Sequence, residues 1–341
     1  MSTSKTLKIK YLKTIGITNN GSNGRGFANP YDIAVGRAGR LYALNRCDPD
    51  RREFIRVGIF NLEEEYIGEF GYGYGDGDGQ MVWPVAISFD SKKRLLVTDE
   101  YNHRVSIFTE TGEFVRKWGV FGKSAGEFNG PAGIGIDTRD NVYIADQNNH
   151  RIQKYSIEGR FIGQWGEFGT RKGQFDLPWG ICVDSNNDVY VADWRNDRVQ
   201  KFDQDGVFIA EFGSSGTSTG YLSRPTGVAV DREGVIYIAD WGNERVQLFN
   251  QSGESLKVLR GEATLSLWAK DFFNSNPDEV ETRELSNLVP KLDHAPSDAY
   301  HISSQTEPFF WGPVSVTVDN NDRLYVVETN RHRIQVYQKE A

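Results

Sequence analysis

A proline recurs every 47 residues in this chain, at Pro84, Pro131, Pro178 and Pro225. Each opens the same phrase: PAGIGIDTRDNVYIADQNNHRIQKY from Pro131, PWGICVDSNNDVYVADWRNDRVQKF from Pro178 and PTGVAVDREGVIYIADWGNERVQLF from Pro225. Within a copy, short alternating apolar runs are divided by turn-forming residues, the pattern of half-buried strands. A period of about 40 to 50 residues built from short strands folds as a solenoid or a propeller.

Weaker copies begin at Pro30 (PYDIAVGRAGRLYALNR) and Pro313 (PVSVTVDNNDRLYVVETNRHRIQVY), which makes six. Each copy holds four strand-like runs, the fourth reading FVRKWG, FIGQWG or FIAEFG where it is clearest. Four antiparallel strands repeated about an axis make a propeller blade. The last copy stops after its third run, at Ile334 to Tyr337, and the N-terminal IKYLKTIG has the form of the missing fourth. Pairing the two ends would close the ring and remove its open sheet edges, whereas an open solenoid would need polar caps. The expectation is an all-β, six-bladed β-propeller of four-stranded antiparallel blades, a single domain over residues 1–341. The N-terminal strand completes its last blade, and a mostly helical or irregular insert lies near the C-terminus.

A string Asp-x-x-Asn-x-Arg follows the second strand, at Asp99–Arg104, Asp146–Arg151, Asp193–Arg198 and Asp240–Arg245, with the variant Glu328–Arg333. With Pro-x-Gly before the first strand, it resembles the NHL repeat over nearly the whole chain except the insert. The resemblance implies the propeller fold. It leaves function open, because a fold hosts many functions and the site decides between them; NHL propellers include RNA-binding and protein-binding modules and the amidating lyases of peptide hormone processing. Those lyases carry zinc on histidines that follow the repeat proline. The matching positions here are Tyr31, Val85, Ala132, Trp179, Thr226 and Val314. None is His, Asp, Glu or Cys, so the zinc triad is absent, and no metal or other cofactor is expected.

The recurring Asp and Arg read as scaffold, since a residue type demanded in every blade serves the blade. An Asp before a tight turn accepts backbone N–H groups, and the Arg five positions on can pair with it. His103, His150 and His332, each just before the repeat Arg, read the same way. A formal charge of −8 disfavours broad nucleic-acid binding. Cys47 and Cys182 lie in different blades without a Cys-x-x-Cys pair and read as free thiols. Together with an N-terminus lacking an apolar leader and the lack of any run of membrane-spanning length, this makes a cytoplasmic protein without membrane contact the expectation.

Function is sought where the chain departs from its own repeat. The departures share one rim, formed by the fourth-to-first and second-to-third connections. They are the glycine-rich GYGYGDGDGQMVWP from Gly71, the blade-one turn NRCDPDRREF, and the 52 residues from Gly261 to Pro313, where other copies use 12 to 14. The glycine-rich loop lacks the length and the closing Glu of an EF-hand. In the insert, Leu265 to Phe273 suits a short amphipathic helix, and Asn276-Pro277-Asp278 a second, proline-started one. Its aromatic content suggests a folded lid over residues 262–312.

The same rim gathers aromatic residues that the repeat does not require. Tyr31, Arg46, Trp83, Tyr101, Trp179, Trp194, Asp197, Trp241 and Trp311 are the candidate ligand contacts. His294, His301, Glu100 and Arg195 are the candidate catalytic groups. Two readings stay open. One is a small organic ligand bound under the lid, with metal-independent acid–base chemistry of lyase, isomerase or cyclase type as its extension. The other is a protein partner docked on the same rim. Single-stranded RNA ranks third, because stacking platforms also need a basic groove.

Overall fold

The computed structural model describes residues 7–19, 24–46, 52–292 and 298–340. Six four-stranded antiparallel sheets surround a central axis. Their innermost strands are Pro30–Val35, Pro84–Phe89, Pro131–Ile136, Pro178–Val183, Pro225–Val230 and Pro313–Val318, so every repeat proline begins an inner strand. A proline at a strand's first residue removes no ladder donor. The ring closes as the sequence suggests: Ile9–Ile15 pairs with Arg333–Lys339, placing Tyr11 opposite Tyr337 and Ile15 opposite Ile334.

Burial follows radial position. Second strands such as Val189–Asp193 are buried throughout because neighbouring blades cover both faces. Outer strands such as Phe114–Trp118 and Phe161–Trp165 alternate half-buried with exposed residues, since only one face has a neighbour. The core is a series of interblade clusters; one joins Val142, Ile144 and Phe128 of blade three to Ile181, Val189 and Phe202 of blade four.

The repeated polar residues build this scaffold. Asp193 is fully buried and accepts from Asp176 N at 2.8 Å, Asn196 Nδ2 at 2.9 Å and Arg198 Nε at 3.0 Å. Arg198 also donates to the Arg171 and Gln174 carbonyls of the preceding loop. Asp146 with Arg151, Asp240 with Arg245, and Glu328 with Arg333 repeat the arrangement. The histidines serve the seams between blades. Nδ1 of His103, His150 and His332 accepts the backbone N–H of Gly130, Leu177 and Asn29 on the next blade. Asp197 and Glu244 take the same place in blades four and five, accepting from Arg224 N at 2.7 Å and Gly312 N at 2.6 Å. Burial lowers the pKa of His103 and His150, in keeping with neutral rings that accept a proton donor.

Pro-x-Gly has a steric reason. A methyl on Gly180 would lie 2.4 Å from the Thr226 carbonyl oxygen, and one on Gly133 2.2 Å from that of Trp179. Inner strands of blades three to five therefore pack backbone against backbone. Elsewhere the position holds Asp32, Ala86 and Ser315, and side chains fill the seam.

Two departures from the repeat take definite form. The glycine-rich loop is an ordinary fourth-to-first connection: its parallel bridge between Tyr74 and Met81 matches Phe121–Phe128 and Phe168–Phe175 in later blades. The insert forms three helices, α1 (Leu267–Ser275), α2 (Pro277–Leu285) and α3 (Ala299–Gln305). Ser266 caps α1, accepting from Ala269 N at 3.0 Å and donating to the Gly16 carbonyl at 2.6 Å. Trp268 is buried with Phe27 and Phe60, and its indole N–H donates to the Glu64 carbonyl. These contacts seat α1 on the outer seam between blades six and one. No helix among the described residues is long and apolar enough to cross a membrane.

Candidate functional site

A cavity of about 420 Å³ opens at the axis on the loop-rich rim. Its walls come from three repeat positions. The residue before the proline supplies Asn29 and Trp83; the residue after it supplies Tyr31, Trp179, Thr226 and Val314; the residue ending the second strand's exit supplies Arg46, Trp194, Trp241 and Thr329, with Asn330 beside it. The backbone at these places is common to all blades, and only the side chains differ. Trp194 and Trp241 open short 3-10 turns, Trp194–Asn196 and Trp241–Asn243, that lean them toward the axis.

The walls are divided. Blades four and five contribute Trp179, Trp194 and Trp241, with Trp179 and Trp194 at 6.5 Å between ring centroids and 42° between planes. Blades six and one contribute Asn29, Tyr31, Arg46, Thr329 and Asn330. Arg46 lies 4.6 Å from the Tyr31 ring centroid and 5.3 Å from that of Trp83. Its Nη2 donates to Glu100 at 2.7 Å, and Glu100 also accepts from Gln147 Nε2 at 2.9 Å. Arg195 and Arg224 stand 5.6 and 5.4 Å over Trp194. Guanidinium groups thus occupy faces of three of the rings, a favourable arrangement of cation and ring quadrupole.

Six candidate ligand contacts reach the cavity: Tyr31, Arg46, Trp83, Trp179, Trp194 and Trp241. The other three do not line it. Tyr101 is 57% exposed and packs edge-on against the outer side of Trp83. Asp197 is held in the interblade bond to Arg224 N and also accepts from Ser215 Oγ. Trp311 packs on Tyr300 with Arg331 over its ring. Of the candidate catalytic groups, Glu100 is pinned behind Arg46, Arg195 is exposed above Trp194, and His301 faces outward on α3 with Nε2 2.7 Å from Gln305 Nε2. His294 lies outside the described residues, as do residues 47–51 of the blade-one turn, Cys47 among them. No described residue of 262–312 lines the cavity; α3 rests beside it, its Ser303 and Ser304 carbonyls accepting from Arg331.

Five wall residues escaped the sequence reading. Thr329 and Asn330 carried a signal, since ETNRHR departs from the Asp-x-x-Asn order. Asn29, Thr226 and Val314 are unremarkable by type. Beneath the cavity, Tyr31, Trp179, Thr226 and Val314 also border an axial channel of about 580 Å³. Asp32 stands in its wall where blades three to five have glycine, a departure visible in Pro-Tyr-Asp. It accepts from Ser315 Oγ at 2.6 Å, Ile87 N at 2.8 Å and its neighbour Ile33 N at 2.9 Å, stitching blades six, one and two. Burial pushes its pKa up to about 6 against these bonds. Cys182 also borders the channel as a free thiol, its pKa pushed up to about 12 by burial. Among the described residues, no three His, Cys, Asp or Glu side chains converge as a metal site.

Comparison with known proteins supports this architecture. The NHL repeat family matches residues 175–202, 222–249 and 310–337. DUF5128, described as a six-bladed beta-propeller, matches residues 86–165. No curated protein matches the sequence. Among solved structures, a streptogramin B lyase aligns over 98% of each chain at 12% identity and a TM-score of 0.58. A catalytically inactive virginiamycin B lyase from Staphylococcus aureus, with quinupristin, aligns over 98% of this chain and 88% of its own at 14% identity and 0.57. An auxiliary nutrient binding protein from Bacteroides thetaiotaomicron VPI-5482 aligns over 98% and 77% at 11% identity and 0.62. At these identities the likeness is one of fold. The chain is a six-bladed β-propeller in which three segments match the NHL repeat.

Proposed function

We propose that this propeller is a binding protein that takes a small, uncharged organic molecule into its rim cavity. One observation carries the reading: five aromatic rings converge at positions where the repeat prescribes no aromatic. A concave site with apolar walls and a few polar groups is the usual form of a ligand pocket. Charge narrows the class. Arg46 is the one ionic side chain among the described walls, and Glu100 neutralises it at 2.7 Å. A cationic ligand would compete with guanidinium groups already over Tyr31, Trp83 and Trp194.

Binding is favoured over turnover because no carboxylate, imidazole, thiol or amine lines the described walls, and general acid–base catalysis needs such a group within reach of the substrate. The same fold serves a lyase crystallised with quinupristin and a nutrient-binding protein, which supports a ligand-binding role at a coarse level. The test is a thermal-shift and tryptophan-emission screen of the pure protein against uncharged metabolites. A ligand present at about 100 times its Kd adds roughly 2.7 kcal/mol of stability, so a clear rise in Tm is expected, absent in Trp241→Ala. A screen in which every shift persists in Trp241→Ala refutes the cavity.

A protein partner is the second reading. Outside the cavity, Tyr74, Phe121 and Phe168 project from equivalent loops of three successive connections, Phe121 and Phe168 being 61% and 67% exposed. Exposed aromatic residues suit an interface core. A partner lost in Phe121→Ser with Phe168→Ser but retained in Trp241→Ala would support it.

A further inference from the structure

We infer that the molecule bound in the rim cavity is an uncharged saccharide; the inference rests on the small-ligand reading above and names its chemical class. The first support is the set of polar groups on the walls. Asn29, Thr329 and Asn330 line the cavity, and none of their side chains is taken up by a hydrogen bond to the described protein. Amide and hydroxyl groups both donate and accept, and so do sugar hydroxyls. Nη1 of Arg46 likewise has no hydrogen-bond partner among the described residues. A purely apolar ligand would strip water from these groups without replacing its hydrogen bonds, a costly outcome.

The second support is the shape of the aromatic wall. Trp179 and Trp194 stand 42° apart, forming a wedge. A planar aromatic guest is best served by parallel faces. A puckered ring with axial C–H groups on one face and hydroxyls at its rim fits tilted indoles, whose negative faces attract those C–H groups. The third support is charge: Arg46, the one ionic side chain on the described walls, is neutralised by Glu100, and guanidinium groups already lie over three ring faces where a cation would sit. The saccharide face then rests on the blade four and five indoles while its hydroxyls turn to blades six and one.

The test is an array of neutral oligosaccharides probed with the full chain, followed by calorimetric titration of the best glycan. Expected is a saturable binder that shifts tryptophan emission. Trp241→Ala should weaken it about tenfold and Asn330→Ala several-fold, each variant keeping the parent melting temperature. Naphthol, flat and uncharged, is the control ligand. If naphthol quenches emission in a Trp241-dependent way and no glycan binds, the cavity stands and the saccharide is overturned. If neither binds, both readings fall.

Discussion

Blades four and five differ from blades six and one in a way that separates what holds the ring together from what the ring offers. The first pair keeps the repeat: glycine at the third inner-strand position, the full Asp-x-x-Asn-x-Arg turn, and backbones in contact across the seam. The second pair breaks it. Asp32 and Ser315 replace glycine and bond to each other at 2.6 Å, Asn45 replaces the turn Asp, and Glu328 opens a turn of different order. At the mouth the same division appears as an indole wall facing an amide, hydroxyl and guanidinium wall. Regular blades can therefore carry large aromatic residues at the free positions without disturbing the scaffold. Polarity enters where the scaffold has already changed.

The largest expected effect breaks the scaffold on the regular side. Arg198→Ala leaves the buried Asp193 without its guanidinium, and urea unfolding should show a loss of about 3–5 kcal/mol. Arg46→Ala, at a largely buried mouth pair where Glu100 keeps Gln147, should cost less, about 1–3 kcal/mol. Equal losses would erase the distinction between scaffold and site.

Next comes the seam. Gly180→Ala drives a methyl against the Thr226 carbonyl and should destabilise by about 1–3 kcal/mol. Ala86→Gly, at the matching position of blade two, should cost only about 0.5–1 kcal/mol through chain entropy. A neutral Gly180→Ala would mean that the backbones are not in contact.

The irregular side can be read through pH. An unfolded Asp titrates near 4, and Asp32 in the fold titrates at about 6. The folded chain therefore holds the proton more tightly, so this group's contribution falls as pH rises from about 4 to about 6 and is level above that. Relative to Asp32→Asn, the parent should lose about 2–3 kcal/mol across that window. Parallel stability curves for the two proteins would show that Asp32 does not feel its burial. The smallest expected change is in Trp241→Ala, half-buried and outside the clusters of the core, whose unfolding free energy should move by less than about 1 kcal/mol while binding suffers.

The architecture is legible in the chain because its causes are local and repeated. A proline that tolerates only the first strand position, a glycine forced by a neighbouring backbone, and an Asp with an Arg five places on recur in register, so the number of blades and the closing strand follow from spacing. The first two insert helices are legible as well, one as an amphipathic run and the other by its proline start. Six of the nine candidate contacts do line the cavity, and Trp83, Trp179, Trp194 and Trp241 among them stand where the pattern asks for nothing of the kind. Tertiary structure alone decided the rest. Asp197 looks like a free carboxylate in sequence, but the ring curves so that it meets Arg224 N of the following blade. The insert has the length of a lid, but Trp268 finds its pocket on the outer seam beside Phe27 and Phe60, distant in sequence and adjacent only once the ring has closed. Asn29 and Asn330 become wall residues of one cavity for the same reason: closure brings residues from opposite ends of the chain to a common axis, and no local pattern records that meeting.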